Sequence, residues 1–222
     1  VADGGVDRGV GTDRGVGTSP AVEIAQWVAA RRARAGQTRV LAVDGRSGGG
    51  KTTLAQAIAE RLHAPVVRMD DLYDGWDGLA AGVDQLVARI LGPLARGERA
   101  CWRRYDWDQG RYGPRQTLDP APAILVVEGV GAGARAATPL LSGLVCVAAP
   151  VRVRRRRALA RDGDTFAPHW DRWARHEDRY FAAEDVAGRA DLLVNGAPAS
   201  AGPATGWPQV VARTGLRRTV RR

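Results

Sequence analysis

Residues 40–53 read VLAVDGRSGGGKTT. Four apolar residues closed by Asp44 have the pattern of a strand buried on both faces. The pattern G-x-x-x-x-G-K-[ST] follows on Gly45, Gly50, Lys51 and Thr52, and residues 51–62 continue with helical periodicity. Strand, glycine-rich turn and helix together are the context a phosphate cradle requires. Glycines let successive backbone N–H groups turn inward around an anion, and the helix N-terminus adds positive potential. The cradle is expected to comprise Gly45, Ser47, Gly48, Gly49, Gly50, Lys51, Thr52 and Thr53. Lys51 would meet the β- and γ-phosphates of a nucleotide, and the Thr52 hydroxyl would ligate a magnesium ion. The expected cofactors are therefore ATP and Mg2+.

Composition singles out the same position. Lysine and arginine total 33, and Lys51 is the one lysine among them. Abundant Ala, Arg and Gly suggest a GC-rich genome, whose codon bias favours arginine wherever arginine can serve. A lysine that persists marks a place where a compact ammonium is needed rather than a planar guanidinium.

Outward from this stretch, apolar runs alternate with helical patterns. A helix is expected over residues 20–35, after Ser19 and Pro20. Strands are expected at 65–69, 123–127, 144–148 and 191–194, and helices at 83–96, 151–161 and 168–187. Residues 100–107 alternate like an exposed strand, and Asp108-Gln109-Gly110 can turn it into a hairpin. Alternating strands and helices imply right-handed crossovers and a mostly parallel sheet covered on both faces. One kinase-type domain is expected over 19–212, with a lid at about 152–166. Residues 1–18, with the tandem DRGVGT-DRGVGT, are read as a disordered tail, and 213–222 as a basic tail.

Acids at the carboxyl ends of strands are the next candidates, because chemistry in an open parallel sheet collects there. Asp70 closes the second strand, and it can orient an acceptor hydroxyl and take its proton. Glu128 closes the strand ILVVE and would serve the metal, directly or through water. In VRVRRRRALARDGD, Arg154, Arg157 and Arg161 recur on one helical face, where a closing element can neutralise phosphoryl charge. Gly163 can supply its hinge. Tyr73, Trp76, Tyr105 and Trp107 can stack on a planar substrate, with Asp106 bonding to it, or can simply pack a hairpin. Trp170, Trp173 and Tyr180 are read as packing residues, and His169 and His176 as structural.

The net charge is +9 and the pI about 10.8, which raises nucleic acid as a partner. The excess is local, however. Six arginines fall within residues 152–161 and five within 213–222, and the remainder is slightly acidic. That distribution makes no continuous binding stripe, so a small-molecule partner is expected rather than nucleic acid, and self-association into a homo-oligomer stays open. No apolar run is long enough to span a membrane, and no secretory pattern opens the sequence. Two distant cysteines, Cys101 and Cys146, suit a reducing cytoplasm better than a disulfide framework.

In this order GRSGGGKT, MDDLY, RRYDW, VVEG, RVRRRRALARD and ADLLVNG resemble the uridine kinase family of P-loop nucleoside kinases, over roughly residues 39–196. The resemblance implies an α/β fold of the P-loop NTPase type. Its parallel sheet would have about five strands sandwiched by helices, with a substrate hairpin and an arginine-rich lid. It implies ATP-dependent 5′-phosphorylation of uridine or cytidine. Asp70 falls on the family's catalytic carboxylate, Tyr73 and Tyr105 on substrate-contacting tyrosines, and Glu128 on the metal-side acid. Arg154, Arg157 and Arg161 fall on lid or substrate-side arginines. The chain departs where the family carries a base-reading histidine: Trp107-Asp108-Gln109-Gly110 stands there. It also carries a distinctive Phe166-Ala-Pro-His-Trp170 followed by a long helix. A kinase of another metabolite, a nucleoside-antibiotic phosphotransferase and a nucleotide-binding regulator remain alternatives.

Overall fold

The computed structural model describes residues 19–118, 122–197 and the backbone of 210–212. The expected tails, 1–18 and 213–222, lie outside the described residues. Five strands form a parallel sheet: β1 (Arg39–Asp44), β2 (Val66–Arg68), β5 (Ile124–Glu128), β6 (Gly143–Ala148) and β7 (Leu192–Asn195). Their order across the sheet is β2-β5-β1-β6-β7. A sixth strand, β8 (Val210–Ala212), adds antiparallel to β7 and was not anticipated from the sequence. The remaining pair, β3 (Ala100–Asp106) and β4 (Arg111–Leu118), forms the expected hairpin as a separate two-stranded sheet.

The run of apolar residues in β1 is explained by what covers each face. Leu41 and Val43 pack under α1 (Pro20–Ala29) and α2 (Lys51–Leu62), against Ile24, Val28, Leu54 and Ile58. Val40 and Ala42 face the opposite layer, which includes Leu86, Ile90, Trp173 and Tyr180. With a side-chain period of two, both sets must be apolar. Each fully buried Leu or Ile of these layers contributes roughly 1.5–3 kcal/mol.

Three expected boundaries moved. α1 stops at Ala29 rather than near residue 35, because Ala35 and Thr38 instead form a bridge that turns the chain into β1. The helix expected at 83–96 starts earlier, as α3 (Leu79–Gln85), and passes through a π-helical turn, Leu86–Leu91, into α4 (Gly92–Ala95). α5 (Val151–Phe166) outruns its expected end, but its regular geometry breaks at Gly163, with φ 51° and ψ −131°. No side chain with a Cβ takes that conformation readily, so the suspected hinge glycine is where the helix kinks. α6 (Trp170–Glu184) and the single turn α7 (Val186–Arg189) then lead to β7.

Candidate active site

All five parallel strands end on the same side of the sheet, and the phosphate loop fills the gap above β1. Gly50 caps α2, so the first helical N–H groups open onto the loop. Gly48 packs so closely on the backbone carbonyl of Arg154 that any Cβ there would collide with it. This contact seats the loop against the first turn of α5.

Beside the loop lies a cavity of about 260 Å³. Into it the fold brings Lys51, Thr52 and Thr53 from α2, Asp70 from the turn after β2, Glu128 from the end of β5, and Arg157 and Arg161 from α5. Ser47, Gly48 and Gly50 of the loop also line it. Lys51 is only 8% exposed and donates to the Arg46 carbonyl at 3.2 Å. The Thr52 hydroxyl lies 3.3 Å from each oxygen of Glu128. The β1–β5 register, Val43 opposite Glu128, carries that carboxylate to the mouth of the loop. Glu128 is 3% exposed, and burial pushes its pKa up against the opposing pull of Lys51. A hydroxyl and a carboxylate are hard oxygen donors, the set that suits magnesium when phosphate oxygens and water supply the rest. Among the described residues no group of three or more His, Cys, Asp or Glu forms a self-sufficient metal site.

Asp70 is exposed within the 3-10 turn Met69–Asp71, and its carbonyl accepts a hydrogen bond from Trp107 Nε1 at 2.9 Å. That contact docks the β3–β4 hairpin on the acid turn. Asp71 is held by Arg104 at 2.9 Å and faces a different partner from its neighbour. Arg157 donates to the Gly196 carbonyl at 2.6 Å, and Arg161 is paired with Asp162. Arg157 also lines a second cavity of about 310 Å³, with Gly50, Thr53, Leu54, Val147, Val194 and Gly196.

Four residues expected on the substrate do not line the cavity beside the loop. Tyr73 is buried, its hydroxyl donating to the Val130 carbonyl at 2.6 Å, and burial pushes its pKa well up. Tyr105 packs edge-on against Trp107 and Tyr112. Asp106 caps the hairpin turn, accepting from Asp108 N–H at 3.0 Å and Gln109 N–H at 2.9 Å. Arg154 sits behind the loop, its guanidinium donating to the carbonyls of Ala149 and Ser47 at 3.1 and 3.2 Å. It shares a helical face with Arg157 and Arg161, but one turn nearer the sheet the face meets the loop's back rather than the cavity.

The sequence reading passed over Asp44. Fully buried, it accepts from Gly45 N–H, Gly133 N–H and the Tyr180 hydroxyl at 2.6, 2.9 and 2.8 Å. Burial raises its pKa, and those donors oppose the rise. An acid ending an apolar strand was the available signal. Cys146, beside Asp44 in the sheet, is a free buried thiol pushed up to about 11 by burial, as expected of a small hydrophobe. No helix among the described residues is long and apolar enough to cross a membrane.

Solved structures are similar to this chain. A protein described as a possible uridine kinase, from Bacillus stearothermophilus, is similar with a TM-score of 0.59 and 20% identity, over 78% of this chain and 96% of that one. A D-glycerate 3-kinase from Cryptococcus neoformans is similar with a TM-score of 0.49 and 12% identity, over 81% of this chain and 97% of that one. No family model matches this sequence, and no curated protein matches it. The fold is the one shared with that Bacillus protein: a five-stranded parallel sheet flanked by helices, with a glycine-rich loop after its first strand.

Proposed function

We propose that this protein is a phosphotransferase that moves the terminal phosphoryl group of MgATP to a hydroxyl of a small molecule, with a nucleoside, through the 5′-OH of uridine or cytidine, as first acceptor. One observation carries the reading: a single cavity is lined by a lysine, two arginines, the Thr52–Glu128 pair and an unburied aspartate. A site that only senses nucleotide needs the phosphate loop but neither Asp70 nor the two arginines. The nucleoside acceptor rests on the motif resemblance and on the fold shared with the possible uridine kinase.

Lys51 and the backbone N–H groups of the loop would bind the β- and γ-phosphates. Thr52 and Glu128 would hold magnesium, which when bound neutralises phosphate charge. Asp70 would orient the acceptor hydroxyl and accept its proton as the acceptor oxygen bonds to the γ-phosphorus and the bond to the ADP oxygen breaks. Arg157 and Arg161 would offset the charge on the equatorial oxygens. The second cavity, which shares Gly50, Thr53 and Arg157 with the first, would take the nucleoside end of the donor.

The test is ATP consumption with a panel of nucleosides, sugars and other small alcohols. Turnover with uridine or cytidine is expected. Asp70→Asn should bind MgATP as the parent does and lose roughly 10²–10⁴-fold in kcat. Near-normal turnover in that variant would remove Asp70 as the base. Turnover confined to a sugar would keep the mechanism and replace the acceptor.

A further inference from the structure

Helix α6 begins at the distinctive Phe166–Trp170 segment and is more than a cover for the sheet. Trp173, Glu177 and Tyr180 lie four and three residues apart on one face, and each ends on the first limb of the phosphate loop. Tyr180 bonds to Asp44, which holds Gly45. Trp173 Nε1 donates to Ser47 Oγ at 2.9 Å. Glu177 Oε1 accepts from Ser47 N–H at 2.6 Å, and its other oxygen faces Arg154 at 3.6 Å and Arg46 at 3.9 Å. Arg46 is further held by Asp178 at 2.6 Å and lies over the Phe181 ring. Every polar group of Ser47 is thereby engaged from behind, by α5 or α6.

The same helix grips the segment that follows Asp70. The Trp173 ring lies 5.0 Å from Tyr73 and 6.3 Å from Trp76. Arg172 and His176 both pair with Asp77, the histidine at 2.9 Å. Trp76 stacks on Phe166 and His169, just before α6 begins. One element therefore touches both the loop that would carry the donor and the segment 73–77 that follows the turn bearing Asp70.

We propose that α6 is a brace fixing the phosphate loop relative to the Asp70 turn, and that Glu177 and Trp173 are its positioning residues, touching neither donor nor acceptor. The inference rests on the phosphotransfer reading above. A helix needed only for packing would present apolar groups here, because a buried carboxylate is costly unless fully bonded. Glu177, 1% exposed, spends its two oxygens on a backbone N–H of the loop and on arginines of the loop and of α5. In-line transfer tolerates little error: a displacement of about 1 Å between reacting groups can cost roughly 10²-fold in rate.

The experiment compares the full-length protein with Glu177→Gln and Trp173→Phe. MgATP affinity is measured by calorimetry and turnover with the best acceptor of the panel, at a temperature where each variant is fully folded. Glu177→Gln should lower kcat roughly 10- to 100-fold and leave the acceptor KM within about twofold. Trp173→Phe keeps an aromatic ring beside Tyr73 but deletes the indole N–H, and should lower kcat about threefold or more. It carries the test alone if Glu177→Gln does not fold. A lowered thermal midpoint with parental kcat and MgATP affinity would reduce α6 to packing and overturn the brace. A parent protein that binds no MgATP overturns the phosphotransfer reading and takes the brace with it; a parent that binds and turns over beside unimpaired variants overturns the brace alone.

Discussion

Glu128 combines two demands that conflict in the free protein. Its carboxylate must stand at the mouth of the phosphate loop, yet the end of β5 is buried. Burial favours the protonated form, so the folded state binds this proton more tightly than the unfolded chain does. Stability from this group therefore falls as pH rises from a glutamate's ordinary 4.5 through its raised folded value, and stays lower above it. Glu128→Gln carries no such proton. The thermal midpoint of the variant minus that of the parent should grow as pH rises above 4.5 in the absence of nucleotide; a gap that does not change with pH would mean that Glu128 is solvated. With MgATP added the order should reverse, because the variant offers the metal a weaker ligand. At this scale the sequence was readable where covalent spacing dictates the outcome. Gly45, Lys51 and Thr52 follow one another from the loop into α2, Glu128 ends an apolar strand, and Asp70 lies two residues past the end of another. Tyr73, Tyr105, Asp106 and Arg154 were less readable, because a long or turn-forming side chain can point two ways. For Tyr73 and Arg154 the hydrogen bonds that decide, to Val130 and Ser47, come from parts of the chain that spacing does not connect, whereas Asp106 is taken up by N–H groups of its own turn and Tyr105 by ring packing.

Among the elements, α5 was legible in position and partly in length. Its arginine periodicity located the helix, and Gly163 located the break. That break is a backbone matter: a Cβ added at Gly163 would meet nothing within 4 Å. Gly163→Ala thus isolates conformational strain from packing. It should cost about 1–3 kcal/mol in urea unfolding, and an unchanged midpoint would show that the kink is not held in the folded protein. The π-helical turn between α3 and α4 had no sequence signal, since its residues keep ordinary helical character. β8 escaped as well, because three residues next to Gly- and Pro-rich sequence carry too little pattern to register. α6 shows the opposite failure. Its aromatic residues were recognised as packing, but the acid among them, Glu177, was the informative residue, since an acid on an apolar helical face needs a partner to be buried.

For the molecule as a whole, the layered architecture follows from alternating apolar strands and helices, and that much the sequence supplied. What it did not supply is the way the two halves of the site are joined through a helix more than a hundred residues from the loop. Contacts of that range follow from the folded shape alone. The domain reading makes its own prediction. Removing residues 1–18 should leave turnover and thermal midpoint unchanged, measured against the full chain; a large fall in either would make that segment part of the working structure. The charge of the molecule also has a chemical side. Its cationic surface is guanidinium throughout, and its one side-chain amine, on Lys51, is nearly enclosed within the loop. Acylating reagents, which modify amines and spare guanidinium, therefore have a single side-chain target of that kind. The extent of acylation at Lys51, read from the mass of the peptide that carries it, becomes a gauge of whether the phosphate loop is filled, without knowledge of the acceptor.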